Sequence, residues 1–230
     1  MTDSAEFEYD PFLFSSPITE IDSITEDFAT EAQITPPFDR SKDRARLQRV
    51  AIRHGGTLLA AITLWGAADY WATGSGLWLA ETIALFNAVF AGTMIAFLLH
   101  EWGHFAGARL SGSFAPVMKE PVSFFMFSFK EHRNTQGQFI AMSLGGPVAN
   151  WLLVIVLFFG LPLDTWSQCL ILATGFAIAV SVSVFELPII NQVMYGAEPA
   201  ETIKQRQAEV GNFPRTVGIL AGAALWLMVI

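Results

Sequence analysis

Residues 82–106 read TIALFNAVFAGTMIAFLLHEWGHFA, an apolar run that ends in two histidines and an acid. The run exceeds the ~20 apolar residues that a helix needs to cross a bilayer. Burying His100, Glu101 and His104 in such a helix is costly, and ionisable residues inside a membrane are candidates for function. This stretch therefore predicts a membrane-spanning helix with a site inside it.

The composition of the whole chain agrees with a protein dissolved in the lipid bilayer. Of its 230 residues 53% are hydrophobic, which is too apolar for one soluble core of this size. Asp69 weakens one further predicted span, and Cys169, the single cysteine, excludes a disulfide within the chain. A membrane-embedded domain is predicted over 56–230, with five spans at 56–73, 82–106, 142–161, 169–190 and 217–230.

The net charge of −8 arises at one end of the chain. Residues 1–39 contain ten Asp or Glu and no Lys or Arg, whereas the rest is slightly positive. The segment is rich in Ser, Thr and Pro and has no helical or strand period, so we interpret it as a disordered acidic tail. No basic groove supports a role with nucleic acid.

The distribution of positive charge predicts an orientation. Residues 40–55 form a basic juxtamembrane segment directly before the first predicted span, where positive charge marks the inner side. Lys and Arg also occur in 109–140 and 191–216, but in neither 74–81 nor 162–168. The alternation predicts a multi-pass protein of the inner cell membrane with a cytoplasmic N-terminus.

The inner segment 111–139 is the least helical part of the predicted domain. Pro116 and Pro121 precede an aromatic run at 124–129. A strand pair that turns near 134–137 is predicted from this pattern. The fold class is therefore an all-α integral membrane protein with about five transmembrane helices and a short β-hairpin-like inner loop.

The five residues HEWGH at 100–104 match the HExxH metal motif. His100 and His104 share one face of a helix, so both imidazoles can reach one ion, while Glu101 lies about 100° round the helix and can act on water. The alternative is a pair of interfacial histidines that bond only to backbone carbonyls. Catalytic zinc takes three protein ligands and keeps one position open, so a third ligand is required.

The third ligand has to come from another part of the chain. His54 and His132 lie in or beside charged segments and fit poorly. Glu186 is the best candidate, because Pro188 should break the helix there and direct Glu186 or Asn191 inward. The alternative for Glu186 is an interfacial carboxylate that faces water or pairs with a loop cation.

A second motif, GGPVAN at 145–150, opens the third predicted span. Its glycines permit close helix packing, and its proline suits the first turn of a helix. Asn150 places an amide just inside the membrane, where an interhelical hydrogen bond would explain it equally well.

Together, LLHEWGH at 98–104, Ala-Arg at 108–109 and Gly-Pro-x-x-Asn at 146–150 resemble the site-2 protease family of intramembrane metalloproteases. The resemblance covers roughly residues 85–195. It implies a zinc enzyme that cleaves single-span membrane proteins in or near the bilayer. The residues that carry over are the two zinc ligands, the general base and a hydrogen-bond donor near the reacting carbonyl: His100 and His104, Glu101, and Asn150.

The chain departs from the family in one motif. The family's later motif, Asn-x-x-Pro-x-x-x-x-Asp-Gly, ends in the third ligand, but five residues after Pro188 this chain has Val193. The third ligand is therefore replaced, by Glu186 first or Asn191 second, or it is absent.

Two other functions remain open. A membrane zinc protease of the HtpX-like or prenyl-protein endoprotease type also uses HExxH plus Glu, but it would not predict the Gly-Pro-x-x-Asn motif. The missing Asp is also compatible with a catalytically silent homologue that acts as a membrane scaffold or chaperone.

Overall fold

The computed structural model describes residues 38–119 and 125–230, and this part of the chain is helical. Its α-helices are α1 (Arg40–Ser75), α2 (Trp78–Leu110), α3 (Gln136–Gly160), α4 (Trp166–Met194), α5 (Pro199–Val210) and α6 (Phe213–Val229). A 3-10 helix, Glu131–Arg133, precedes α3. The helical fold class is confirmed for the described residues, while nearly all of the predicted acidic tail lies outside them.

Three helices, α2, α3 and α4, are long and apolar enough to cross a membrane. Helices α5 and α6 pass the same test only as a pair, and they are bent by 66°. Five spans are therefore not confirmed, since the described residues give three, or four if the bent pair is one span. The predicted span at 56–73 lies in α1, where Asp69, Tyr70 and Trp71 lower the hydropathy.

Exposed apolar side chains cover the outward faces of these helices. Phe86 on α2 is 74% exposed, and Phe159 on α3 is 81% exposed. Large apolar side chains exposed in such number indicate faces that contact something other than water. The pattern agrees with helices that face lipid.

Glycines let α2 and α3 pack backbone to backbone. A side-chain carbon added at Gly103 of α2 would collide with the carbonyl oxygen of Gly145 of α3, and one at Gly107 would collide with that of Ala141. Small residues at the interface are how helices associate in lipid, where apolar burial gives no driving force between them. Helix α4 packs against both α2 and α3, so the three helices form one bundle.

Asp69 connects α1 to the first turn of α4. Its carboxylate accepts hydrogen bonds from Thr165 Oγ1 at 2.7 Å, from Ser167 Oγ and from Gln168 Nε2 at 3.0 Å. A negative charge is stabilised at a helix N-terminus by the helix dipole. The acid that makes the first predicted span less apolar therefore serves as a polar link between two helices.

The α2–α3 loop, residues 111–135, connects α2 to α3. Its described part contains one antiparallel β-bridge, between Val117 and Phe127, rather than a hairpin of regular strands. Met118 N–H donates to the Met126 carbonyl at 3.0 Å beside this bridge. In the described part of the loop, the predicted extended character takes the form of a short pairing.

The turn predicted at 134–137 is wrong, because these residues begin α3. Thr135 Oγ1 accepts from the Gln138 backbone N–H, and the Gln138 side chain accepts from the Thr135 N–H. This reciprocal arrangement is a capping box, which satisfies two donors that a helix start leaves unpaired. The sequence Asn-Thr-Gln-Gly therefore starts a helix instead of reversing a strand.

Asp43 in α1 fastens the α2–α3 loop. It is buried, and its Oδ1 accepts from the Val117 N–H at 2.7 Å. Its Oδ2 lies 2.5 Å from Arg109 Nη2 at the end of α2. One carboxylate from the predicted basic segment thus joins α1, α2 and the loop.

Candidate metal centre

His100, His104 and Glu186 meet between α2 and α4. Nε2 of His100 lies 2.9 Å from Nε2 of His104 and 3.0 Å from Oε1 of Glu186, while Nε2 of His104 lies 3.6 Å from the same oxygen. One ligand atom from each residue falls within 4.8 Å of the others. Three donors from two helices therefore converge on a point that could hold a metal ion.

The other ring nitrogens of both histidines have partners that leave Nε2 for an ion. His104 Nδ1 lies 2.9 Å from the Met142 carbonyl oxygen, so Nδ1 carries the proton and Nε2 offers a lone pair. His100 Nδ1 lies 3.4 Å from the side-chain amide of Asn150. Outer partners of this kind orient metal-ligating histidines.

Glu186 offers a second carboxylate oxygen as a possible metal ligand. Its Oε2 is buried and has no hydrogen-bond partner among the described residues. A buried, unpartnered carboxylate oxygen is costly unless a cation or a proton satisfies it. Two imidazole lone pairs and this carboxylate therefore fit a divalent metal ion with nitrogen and oxygen ligands.

Gly146 of α3 provides the space for the two rings. A side-chain carbon there would stand 2.5 Å from His100 Cε1 and 2.6 Å from His104 Nε2. Both imidazoles therefore pack against bare backbone. The GGPVAN motif contributes to the site sterically, which its chemistry alone does not suggest.

Glu101 lies on the side of α2 that faces the α2–α3 loop. Its side chain is buried, and Oε1 accepts from the Met126 backbone N–H at 3.1 Å. Its carboxylate is close enough to interact electrostatically with His100, His104 and Glu186. The structure therefore holds an acid beside the candidate metal centre but outside its ligand set.

Asn150 is fully buried against His100. Its Oδ1 has no partner among the described residues. Because amide nitrogen and oxygen are assigned from their surroundings, the exchanged orientation would let Oδ1 accept the proton of His100 Nδ1. The role predicted for Asn150 near a reacting carbonyl stays a prediction.

Pro188 does not break α4 as predicted, since the helix continues to Met194. Glu186 nevertheless points to the histidines, so it is the preferred candidate for the third ligand. Asn191, the second candidate, is exposed on α4, and His132 is exposed in the 3-10 helix. His54 is buried on α1 against Trp102, away from the ligand set.

Three contacts of the site were not predicted. They involve the Met126 N–H, the Met142 carbonyl and the space above Gly146. The first two are backbone groups, which leave no trace in side-chain chemistry. Gly146 did carry a signal, because a glycine pair within an apolar helix indicates close approach by a neighbour.

Comparison with known proteins adds no relative. No protein-family model, no curated protein and no solved structure matches this chain.

Proposed function

We propose that the chain is an intramembrane zinc metalloprotease that hydrolyses peptide bonds of single-span membrane proteins. The observation that carries the proposal is the convergence of both HExxH histidines with Glu186 from another helix. Two His and one carboxylate form a known ligand set of catalytic zinc, which keeps a position open for water or substrate. A scaffold protein would have no need to bury such a set in apolar helices.

His100, His104 and Glu186 would hold the zinc, which supplies a Lewis acid that polarises a carbonyl and makes water more acidic. Glu101 accepts a proton from the attacking water and delivers it to the leaving amine. The Met126 N–H holds Oε1 of Glu101 in one orientation during this transfer. The Met142 carbonyl keeps the His104 ring from rotating.

The α2–α3 loop is the proposed docking segment for substrate. A helical substrate hides its carbonyls in its own hydrogen bonds, so it has to unwind before attack. Val117 and Phe127 lie opposite each other but exchange no hydrogen bonds, because the residues on either side of them make the bonds between the two segments. The backbone N–H and C=O of Phe127 therefore point away from Val117, to the other edge of its segment. An extended substrate could add to that edge as a strand.

Phe127→Pro tests this docking step. The substitution removes an N–H that the bridge does not use, so cleavage should fall while zinc content stays unchanged. Phe127→Leu is the control for the lost ring, which lies 5.5 Å from Phe105 between centroids. Cleavage that is equal in the proline and leucine variants would contradict strand addition at this edge.

The cellular setting follows the distribution of Lys and Arg. We place the protein in the inner cell membrane with its N-terminus in the cytoplasm. The basic segments 40–55, 109–140 and 191–216 alternate with loops that contain no Lys or Arg. Five passes remain the proposed topology, with α1 and α6 added to the three apolar helices and α5 on the inner side.

Zinc analysis and membrane proteomics together test the proposed function. The purified chain should carry about one zinc, which a His100→Ala, His104→Ala double variant or Glu186→Ala should lose. Glu101→Gln should keep zinc, because residue 101 is not a proposed ligand and glutamine still accepts the Met126 N–H. It should lose cleavage, because glutamine cannot accept the proton of water. In cells with Glu101→Gln, a single-span protein should accumulate uncut. A metal-free native chain overturns the proposal.

A catalytically silent scaffold is the second candidate. The observation that favours it is Val193, fully buried on α4 where the resembled family has its ligand Asp. A scaffold predicts that Glu101→Gln leaves the membrane proteome and the cell unchanged, whether or not zinc is bound. The same comparison of cells therefore separates the two functions.

A further inference from the structure

Helix α4 has a proline two residues after the proposed third ligand. In an uninterrupted helix the N–H of residue 188 would donate to the carbonyl of Val184, but Pro188 has no N–H. The helix nevertheless continues to Met194. The Val184 carbonyl therefore needs a donor from elsewhere, because unpaired backbone groups are costly in apolar surroundings.

Arg206 of α5 supplies that donor. Its Nη2 donates to the Val184 carbonyl oxygen at 2.9 Å. Its Nε is buried, whereas Lys204 and Gln207 on the same helix are exposed. The planar guanidinium is always charged and donates strongly, which suits a carbonyl that has lost its helical partner.

Glu186 lies between Val184 and Pro188, within the turn that Arg206 closes. Its carboxylate has to reach both His100 and His104, at 3.0 Å and 3.6 Å. Metal ligands function when they are held within about 0.5 Å of the required geometry. Glu186 stands on the turn whose hydrogen bond Pro188 removes, so the closure of that turn bears on where the carboxylate lies.

We propose that Arg206 is a positioning residue of the metal centre: it closes the helical turn opened by Pro188 and thereby aims Glu186 at the two histidines. The inference rests on the proposed function only through Glu186 as a ligand. It also makes α5, a polar helix outside the apolar bundle, part of the support of the site.

A double-mutant cycle on the full chain tests this role. Zinc affinity is measured by chelator competition for the native chain, Arg206→Gln, Pro188→Ala and the double variant. Arg206→Gln should weaken zinc binding about tenfold, the low end for loss of an outer partner. In the Pro188→Ala background position 188 regains an N–H for Val184, so Arg206→Gln should cost less than about twofold.

Two further variants serve as controls. Lys204→Gln removes a positive charge from the exposed side of α5 and should leave zinc affinity unchanged. Arg206→Lys keeps a donor and should retain most of the affinity, which covers the case in which Arg206→Gln does not fold. Monodispersity and melting temperature in detergent identify variants that have unfolded.

The outcomes are distinct. An equal loss in both backgrounds would mean that Arg206 acts by charge or packing, and it overturns the inference. Unchanged zinc affinity in Arg206→Gln overturns the inference alone and leaves the proposed function standing. A native chain that binds no zinc overturns both.

Discussion

Gly146 shows how much the site depends on a missing side chain. The rings of His100 and His104 stand where a carbon on Gly146 would be, at 2.5 Å and 2.6 Å. Neither ring is free to retreat, because the Met142 carbonyl and Asn150 hold their other nitrogens. An atom added here would therefore separate the ligands instead of filling a void.

Gly146→Ala should reduce zinc affinity by about tenfold or more, a loss in the range caused by disturbing outer partners of a metal site. Gly160→Ala, on the same helix with no atom close to the added carbon, is the matched control and should keep native affinity. Chelator competition on both purified variants checks this. Native affinity in Gly146→Ala would show that the rings do not sit on this glycine.

At the scale of elements, α1 meets α2 through a buried histidine next to the HExxH motif. Trp102 Nε1 donates to His54 Nδ1 at 3.2 Å, and His54 is 3% exposed. Burial, and then the charge of Arg53, lower the pKa of His54 below its ordinary value of 6.5. The contact between His54 and Trp102 therefore favours the neutral form of the imidazole.

The sign of the resulting pH dependence follows from this lowered pKa. The folded state disfavours the charged form, so His54 contributes stability above about pH 6.5 and that contribution is lost as the pH falls below it. His54→Asn keeps an acceptor that does not titrate. Its melting temperature should drop less than the native one between about pH 7.5 and about pH 5.5. Parallel curves for the two chains would contradict the prediction.

Asp43 makes a second prediction about elements. Asp43→Ala leaves the Val117 N–H and Arg109 without their partner, and such losses typically cost ~1–3 kcal/mol. The α2–α3 loop should then be cut faster by added protease, and the unfolding midpoint should fall. Glu209→Ala, at an exposed position, is the control. Unchanged proteolysis would mean that the bridge holds the loop without Asp43.

Sequence patterns predicted elements where the signal was local, and failed where the partner was distant. The apolar runs predicted α2, α3 and α4. Glu186 was predicted as a ligand from a helix break at Pro188 that the structure does not contain, yet its carboxylate does lie beside the histidines. The role of Asp69 was missed because its partners at 165–168 lie far along the chain. The start of α3 was missed although Thr135 and Gln138 form a capping-box pattern that is visible in the sequence.

At the scale of the whole molecule, the proposed orientation can be measured with single cysteines. In a Cys169→Ser background, Gly74→Cys should react with an impermeant maleimide on intact cells, because the loop at 74–81 is predicted to face outward. Glu209→Cys should react only after permeabilisation. Both positions are exposed, so access depends on the side of the membrane. The reverse labelling pattern would invert the topology.

The contact of Gly103 with Gly145 has a consequence for how such a chain can change. Each glycine occupies the space that a side chain on the other would need. HExxH and GGPVAN look like two separate chemical signatures, yet they are halves of one steric fit. In a saturation library covering both positions, we expect survivors to keep glycine at 103 and 145 together, whereas lipid-facing positions such as Phe86 and Phe159 accept many apolar residues.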